Sequence, residues 1–142
     1  MAGRAPKTAR TGVRPTTYLE SLDARRAAEG RVLLDLMAEA TGTEGEMWGP
    51  TMVGYGSFHY RSSSGATEGE WFRVGFSPRK AKLTFYGLQD HPRSEELLSR
   101  MGPKTLGAGC VYANRLEHLD LVVLRELVAH AFTDVTEVEV DG

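Results

Sequence analysis

The sequence predicts a single α+β domain in which two main helices pack on one face of an antiparallel sheet of four to five strands. A chain of 142 residues is most simply one folding unit. Apolar and polar side chains alternate through three segments separated by turns, which is typical of an antiparallel sheet with one buried face. Two other segments carry apolar residues at helical spacing and would cover that face. The strand segments are residues 52–61, 70–77 and 81–88, and the helical segments are residues 23–40 and 121–132.

The helical signals begin near the amino terminus. Thr17 and Glu20 form a Thr-x-x-Glu pair, in which each end can satisfy a free backbone donor of the other. A longer helix is predicted from Asp23 to Ala40, because its apolar residues recur every three or four positions. Gly42 follows at the position where a left-handed cap would end that helix.

The three predicted strands form a meander with two different faces. Phe58, Phe72 and Phe76 are expected on the buried face. Gly54 and Gly56 on the same side lack bulk, so we expect a helix to approach closely there. The opposite face stays open and carries a mixture of side chains suited to binding a ligand or partner. Its expected members are Tyr55, His59, Trp71, Arg73 and Tyr86.

The second half of the chain adds the remaining elements. A short helix is predicted over residues 92–101, with Gly102 just past its end. Residues 107–112 are interpreted as a fourth strand. Asp120 is a good cap for the last helix, since a carboxylate within that helix would lie beside its apolar stripe. The acidic tail, residues 134–142, either frays or adds an edge strand.

Composition and charge restrict the class of protein. Hydrophobic content of 41% and charged content of 25% are ordinary for a globular protein. The sequence has no apolar run long enough for a membrane span and no secretory signal, so a cytoplasmic location is expected. Residues 1–15 are basic and expected to be disordered; they leave a net charge of −6 on the rest of the chain. The domain itself is expected to span residues 16–133.

Several sequence segments resemble the YdhG-like domain family, most of whose members lack an assigned function. The resemblance implies a frataxin-like sandwich with helices on one side of an antiparallel sheet. It also implies weak iron handling, since one member of the family is regarded as an iron chaperone that resembles frataxin. Residues 102–107 depart from the family pattern, which carries more lysine there. The matching segments are Trp48-Gly-Pro50, Gly54-Tyr-Gly-Ser-Phe-His-Tyr60, Glu70-Trp-Phe72, Val74-Gly-Phe-Ser-Pro-Arg-Lys80, Leu83-Thr-Phe-Tyr86, Gly109-Cys-Val-Tyr112 and Arg115-Leu116 with Asp120.

Two further groups of residues are candidate sites. Arg79 and Lys80 stand together at a turn, where they either hold an anion or are simply solvated. Asp35 and Glu39 lie one turn apart on the exposed side of the long helix. In a frataxin-like protein such carboxylates would hold iron weakly. The alternative is an ordinary ion pair along the helix, such as Arg31 with Asp35, which needs no metal.

No catalytic motif is present, so the predicted function is non-enzymatic binding. The first hypothesis is a frataxin-like weak iron binder that contacts an unknown protein or small ligand through the open sheet face. A second is a module that binds small anions or single-stranded nucleic acid, although the acidic body disfavours nucleic acid. A third is a structural homodimer that buries the open face. No cofactor other than iron is implied.

Overall fold

Four helices and nine strands make up the described part of the chain. The computed structural model describes residues 10–62, 68–89, 91–134 and 138–140. The helices are α1 (Pro15–Glu20), α2 (Ala24–Thr41), α3 (Ser94–Met101) and α4 (Leu121–Asp134), with a 3-10 turn at Leu116–His118. The strands are β1 (Glu46–Trp48), β2 (Met52–Tyr55), β3 (Phe58–Ser62), β4 (Glu68–Trp71), β5 (Val74–Pro78), β6 (Leu83–Tyr86), β7 (Thr105–Leu106), β8 (Cys110–Ala113) and β9 (Val138–Val140).

Two of the helix ends carry the caps that the sequence predicts, whereas the predicted Thr17–Glu20 pair does not cap α1: Thr17 lies inside that helix, whose N-cap is Arg14. The Asp23 carboxylate accepts a hydrogen bond of 2.9 Å from the backbone N–H of Arg26 at the start of α2. Gly42 ends the same helix in the left-handed region, with φ of 73°. The Asp120 carboxylate accepts from the N–H groups of Val122 and Val123 at 3.0 and 3.2 Å. The caps predicted at Gly42 and Asp120 are confirmed, and Asp23, expected as the first residue of the helix, is its N-cap.

A six-stranded antiparallel sheet in the order β1-β2-β5-β6-β8-β7 forms the centre of the fold. Helices α2, α3 and α4 pack on one of its faces, where side chains of the three helices share one apolar core with those of the strands. The predicted α+β class with an antiparallel sheet is confirmed, and this sheet has more strands than expected. Core side chains from the strands include Val53, Phe76, Phe85 and Val111.

Two of the predicted strands are each broken into two pieces. The first breaks at Gly56, which has φ of 66°, and the second breaks at Phe72 and Arg73. The outer pieces, β3 and β4, leave the six-stranded sheet and pair with each other in a second sheet of three strands. Its third member is β9, which runs parallel to β3, so the tail contributes an edge strand.

The breaks change which face several side chains occupy. Tyr55, expected on the open face, is fully buried against the helices together with Val53. Phe72, expected to face the helices, instead packs on the opposite face against Gly54 and Gly75. A uniform period of two assumes an unbroken strand, and the bends at Gly56 and Arg73 violate that assumption. The close approach expected at Gly54 is therefore made by an aromatic ring rather than a helix.

The end of the predicted basic arm lies beside β1. The backbone N–H of Thr11 donates to the carbonyl of Met47 at 3.0 Å. The Arg10 guanidinium lies over the Trp48 ring, 4.5 Å from its centroid, and forms ion pairs with Glu46 and Glu70. Residues 1–9, where the rest of the arm was expected to be disordered, lie outside the described residues.

Candidate anion-binding surface

The chain itself covers part of the sheet face that lies opposite the helices. Trp71 stacks on Phe72 with ring centroids 4.4 Å apart, and both rings contact Trp48 edge-on, at 5.8 and 5.6 Å. Trp48 is only 2% exposed. This aromatic cluster seals the end of the face near β1 and β2. Trp71, an expected binding residue, therefore serves mainly as packing.

The expected members of the open face separate into three places. Tyr55 lies in the core, and its hydroxyl donates to the carbonyl of Leu34 at 2.8 Å, so the expectation that it is accessible was wrong. Arg73 donates to the carbonyls of Ser57 and Phe132, at 2.9 and 3.0 Å. It therefore ties the start of β3 to α4 instead of facing a ligand. His59 is exposed on β3, in the smaller sheet.

The part of this face that remains accessible is built by β6 and β8. Their register pairs Tyr86 with Cys110 and Thr84 with Tyr112, so all four side chains point away from the helices. Tyr86 and Tyr112 are each half-buried, whereas Thr84 beneath them is only 3% exposed. The structure thus keeps Tyr86 on the open face, as predicted, and adds Tyr112 beside it.

The charge of Arg79 affects the pKa of three tyrosines. Burial raises the pKa of Tyr86, and the positive charge of Arg79 opposes that rise. The hydrogen bond with Cys110 raises the pKa of Tyr112, where Arg79 again acts in the opposite direction. Burial also raises the pKa of Tyr18, which Arg79 likewise counteracts.

A small cleft adjoins this surface at the ends of β6, β7 and β8. Its volume is about 190 Å³, and no carboxylate is among its lining residues. Lys82 enters from the turn before β6 and Lys104 from the segment before β7, while Tyr112 belongs to both the cleft and the open face. The full lining is Lys82, Pro103, Lys104, Thr105, Tyr112, Ala113, Asn114 and His118.

Neither of the two cations expected to hold an anion, Arg79 and Lys80, lines the cleft. Both are exposed at the turn before β6. Arg115, close to the cleft in sequence, is paired with Glu117 at 3.1 Å. Sequence reasoning missed Lys82 and His118. The alternation of Lys82, Thr84 and Tyr86 along one strand was the signal that could have found Lys82, whereas nothing local connects His118 to that strand.

The expected iron ligands lie on the other side of the molecule. Asp35 and Glu39 line a groove between α2 and α4, and the Glu39 carboxylate is ion-paired with Arg125. The alternative pair of Arg31 with Asp35 is not formed within the described residues. The same part of the chain holds no group of three or more His, Cys, Asp or Glu residues that could bind a metal ion.

The chain matches none of the family models, curated proteins or solved structures with which it was compared. Within the described ranges, every helix is too short or too polar to cross a membrane.

Proposed function

We propose that this protein binds a small molecule carrying a phosphate or carboxylate group, and that the cleft holding Lys82 and Lys104 receives that group. The observation that carries the proposal is the charge of the cleft. Two lysines and a histidine line it together with Tyr112 and Asn114, whose side chains carry a hydroxyl and an amide. These groups can all donate hydrogen bonds to an anion, and no lining carboxylate competes for them.

The lysines of the cleft have no acidic partner among the described residues. In that part of the chain, half of the eight exposed arginines form ion pairs, namely Arg10, Arg100, Arg115 and Arg125. Lys82 and Lys104 form no ion pair within the same residues. Cations that share a cleft repel one another unless water or an anion screens them, so an anion bound there gains favourable Coulomb energy.

The size of the cleft restricts the ligand. Sites for drug-sized molecules usually enclose ~300–1,000 Å³. The 190 Å³ found here suits a single phosphate or carboxylate group with a small attached body. A larger ligand would extend over Tyr86 and Arg79 on the neighbouring open face. Single-stranded nucleic acid is the corresponding extended ligand, and the tyrosines would stack with its bases.

The proposal also includes the fold: the resemblance to the YdhG-like family implies a frataxin-like sandwich. It rests on the sequence segments, and it does not name a ligand because most members lack an assigned function. Iron binding at Asp35 and Glu39 is the rival proposal from the same resemblance. It has less support, since Glu39 already holds the Arg125 guanidinium.

Isothermal titration calorimetry with inorganic phosphate tests the proposal. We expect saturable binding that weakens at least about tenfold in the double variant Lys82→Ala/Lys104→Ala. Each substitution removes one charge-assisted contact with the anion, and such a contact contributes roughly 1.5–3 kcal/mol. Lys80→Ala removes a neighbouring exposed lysine outside the cleft and should bind like the wild type. Equal binding by all three proteins, or no binding by the wild type, would refute the proposal.

A further inference from the structure

One groove collects most of the exposed apolar bulk of the described residues. Five large hydrophobic side chains are exposed among the described residues, and three of them, Val32, Leu121 and Val122, line the same groove between α2 and α4. Val122 is 75% exposed. Scattered apolar residues on a surface need no explanation, but a contiguous group of them marks an interaction site.

The groove has the form of a docking surface. Its volume is about 470 Å³, and Leu36 lies at its base with only 7% of its surface exposed. The lining includes the ion pair between Glu39 of α2 and Arg125 of α4, which joins the two helices. The walls are helical and already rigidified by the core, so the groove exists without a partner.

The charges on α2 indicate what occupies the groove. Arg31 and Asp35 are exposed and stand one turn apart, on either side of the Val32 position along the helix. Neither forms an ion pair within the described residues. One helical turn of α2 therefore carries a cation followed by an anion; Val32 and Asp35 line the groove, whereas Arg31 does not.

That order is self-complementary under a two-fold axis. When two copies of α2 meet antiparallel, the cation of one copy faces the anion of the other, and each contact occurs twice. We infer that a second copy of this chain docks on the groove, with Arg31 of each protomer opposite Asp35 of its partner and with Val32 and Val122 in the apolar centre. The groove and the cleft at Lys82 and Lys104 share no lining residue, so this inference is independent of the proposed function.

Sedimentation equilibrium tests the inference on the full chain. We expect the mass to rise from the chain mass of 15.6 kDa toward twice that value as concentration increases from ~1 µM to ~1 mM, a range that covers weak dimers. Val122→Asp should raise the dimer Kd at least about tenfold, because it places a charge at the centre of the contact. Leu106→Asp, an exposed apolar residue on β7 outside the groove, is the matched control and should not change it.

A charge-reversal series tests the pairing itself. Arg31→Glu and Asp35→Arg should each weaken dimerisation, and the double variant Arg31→Glu/Asp35→Arg should restore it, since both cross-protomer pairs are then reversed together. A wild type that stays at one chain mass throughout would overturn the inference and leave the groove to a different protein. Failure of the double variant to regain dimerisation, or equal weakening by Leu106→Asp, would also overturn it.

Discussion

Arg26 and Glu29 form a buried ion pair that joins α2 to both loops bordering the anion-binding surface. The Arg26 guanidinium, 2% exposed, donates to Glu29 at 2.6 Å. It also donates to the carbonyls of Arg79 and Asn114, at 2.8 and 3.0 Å. Glu29 in turn accepts from the backbone N–H of Leu116 at 2.9 Å. Four polar contacts thus fix the backbone at Arg79, Asn114 and Leu116.

Replacing Arg26 should strongly destabilise the fold. Arg26→Met leaves the Glu29 carboxylate buried without its counterion and leaves two carbonyls without their donor. Breaking a buried pair in this way is expected to lower the free energy of unfolding by about 3–5 kcal/mol. Urea denaturation measures this loss. Arg25→Met, at the exposed neighbouring position, is the matched control and should change stability by less than ~0.5 kcal/mol. Equal effects of the two substitutions would show that the buried pair does not stabilise the fold.

Gly54 should not tolerate a side chain. A Cβ at this position would lie 2.6 Å from the Cβ of Phe72, and both atoms belong to well-packed parts of the structure. Gly54→Ala is expected to lower the free energy of unfolding by about 1–3 kcal/mol. Neither β2 nor the Phe72 side chain can move away without disturbing the aromatic cluster. Lys80→Ala, at an exposed turn, serves as the reference for a harmless alanine. A Gly54→Ala variant as stable as the wild type would place the Phe72 ring elsewhere.

Tyr55 should contribute to stability and not to ligand binding. Removing its hydroxyl in Tyr55→Phe should cost about 1 kcal/mol at pH 8, since the hydrogen bond to Leu34 is lost. Phosphate binding should be unchanged in the same variant, because Tyr55 lies among the core residues behind the sheet.

The ionisation of Tyr55 also predicts a pH dependence. Burial raises the pKa of Tyr55 above its ordinary value, with the Asp35 charge acting in the same direction. The folded state therefore holds this proton more tightly than the unfolded chain does. The stabilisation of the folded state by protonated Tyr55 is therefore fully present below pH ~10, and it is lost as the pH rises further. Denaturation curves of wild type and Tyr55→Phe should converge above pH ~10, whereas a constant difference would contradict the assignment.

The helices and their ends could be predicted from the sequence because their signals are local. Asp23, Gly42 and Asp120 each act on backbone groups within a few residues. The faces of the broken strands could not be predicted, since the bends at Gly56 and Arg73 depend on how Phe72 packs against distant strands. The cleft was missed for a similar reason. Lys82, Lys104 and His118 meet only through the pairing of β6, β7 and β8.

Anaerobic titration with ferrous iron separates the rival proposal from the one favoured here. We expect no saturable uptake that depends on Asp35 or Glu39, because Arg125 already compensates one of the two carboxylates. The variants to compare are Asp35→Asn/Glu39→Gln and, as control, Glu95→Gln on α3. Saturable iron binding that is lost only in the first variant would favour the iron proposal instead.

A phosphate titration of ¹⁵N-labelled protein, followed through its backbone amides, tests most directly whether the cleft binds an anion. We expect saturable shifts concentrated at Lys82, Thr105, Tyr112 and Asn114, with the amides of Val32 and Val122 unaffected. The shifts should weaken as salt increases from ~50 mM to ~300 mM, because ions screen the attraction of the lysines. Shifts spread evenly over exposed amides, or confined to residues outside the cleft, would contradict it.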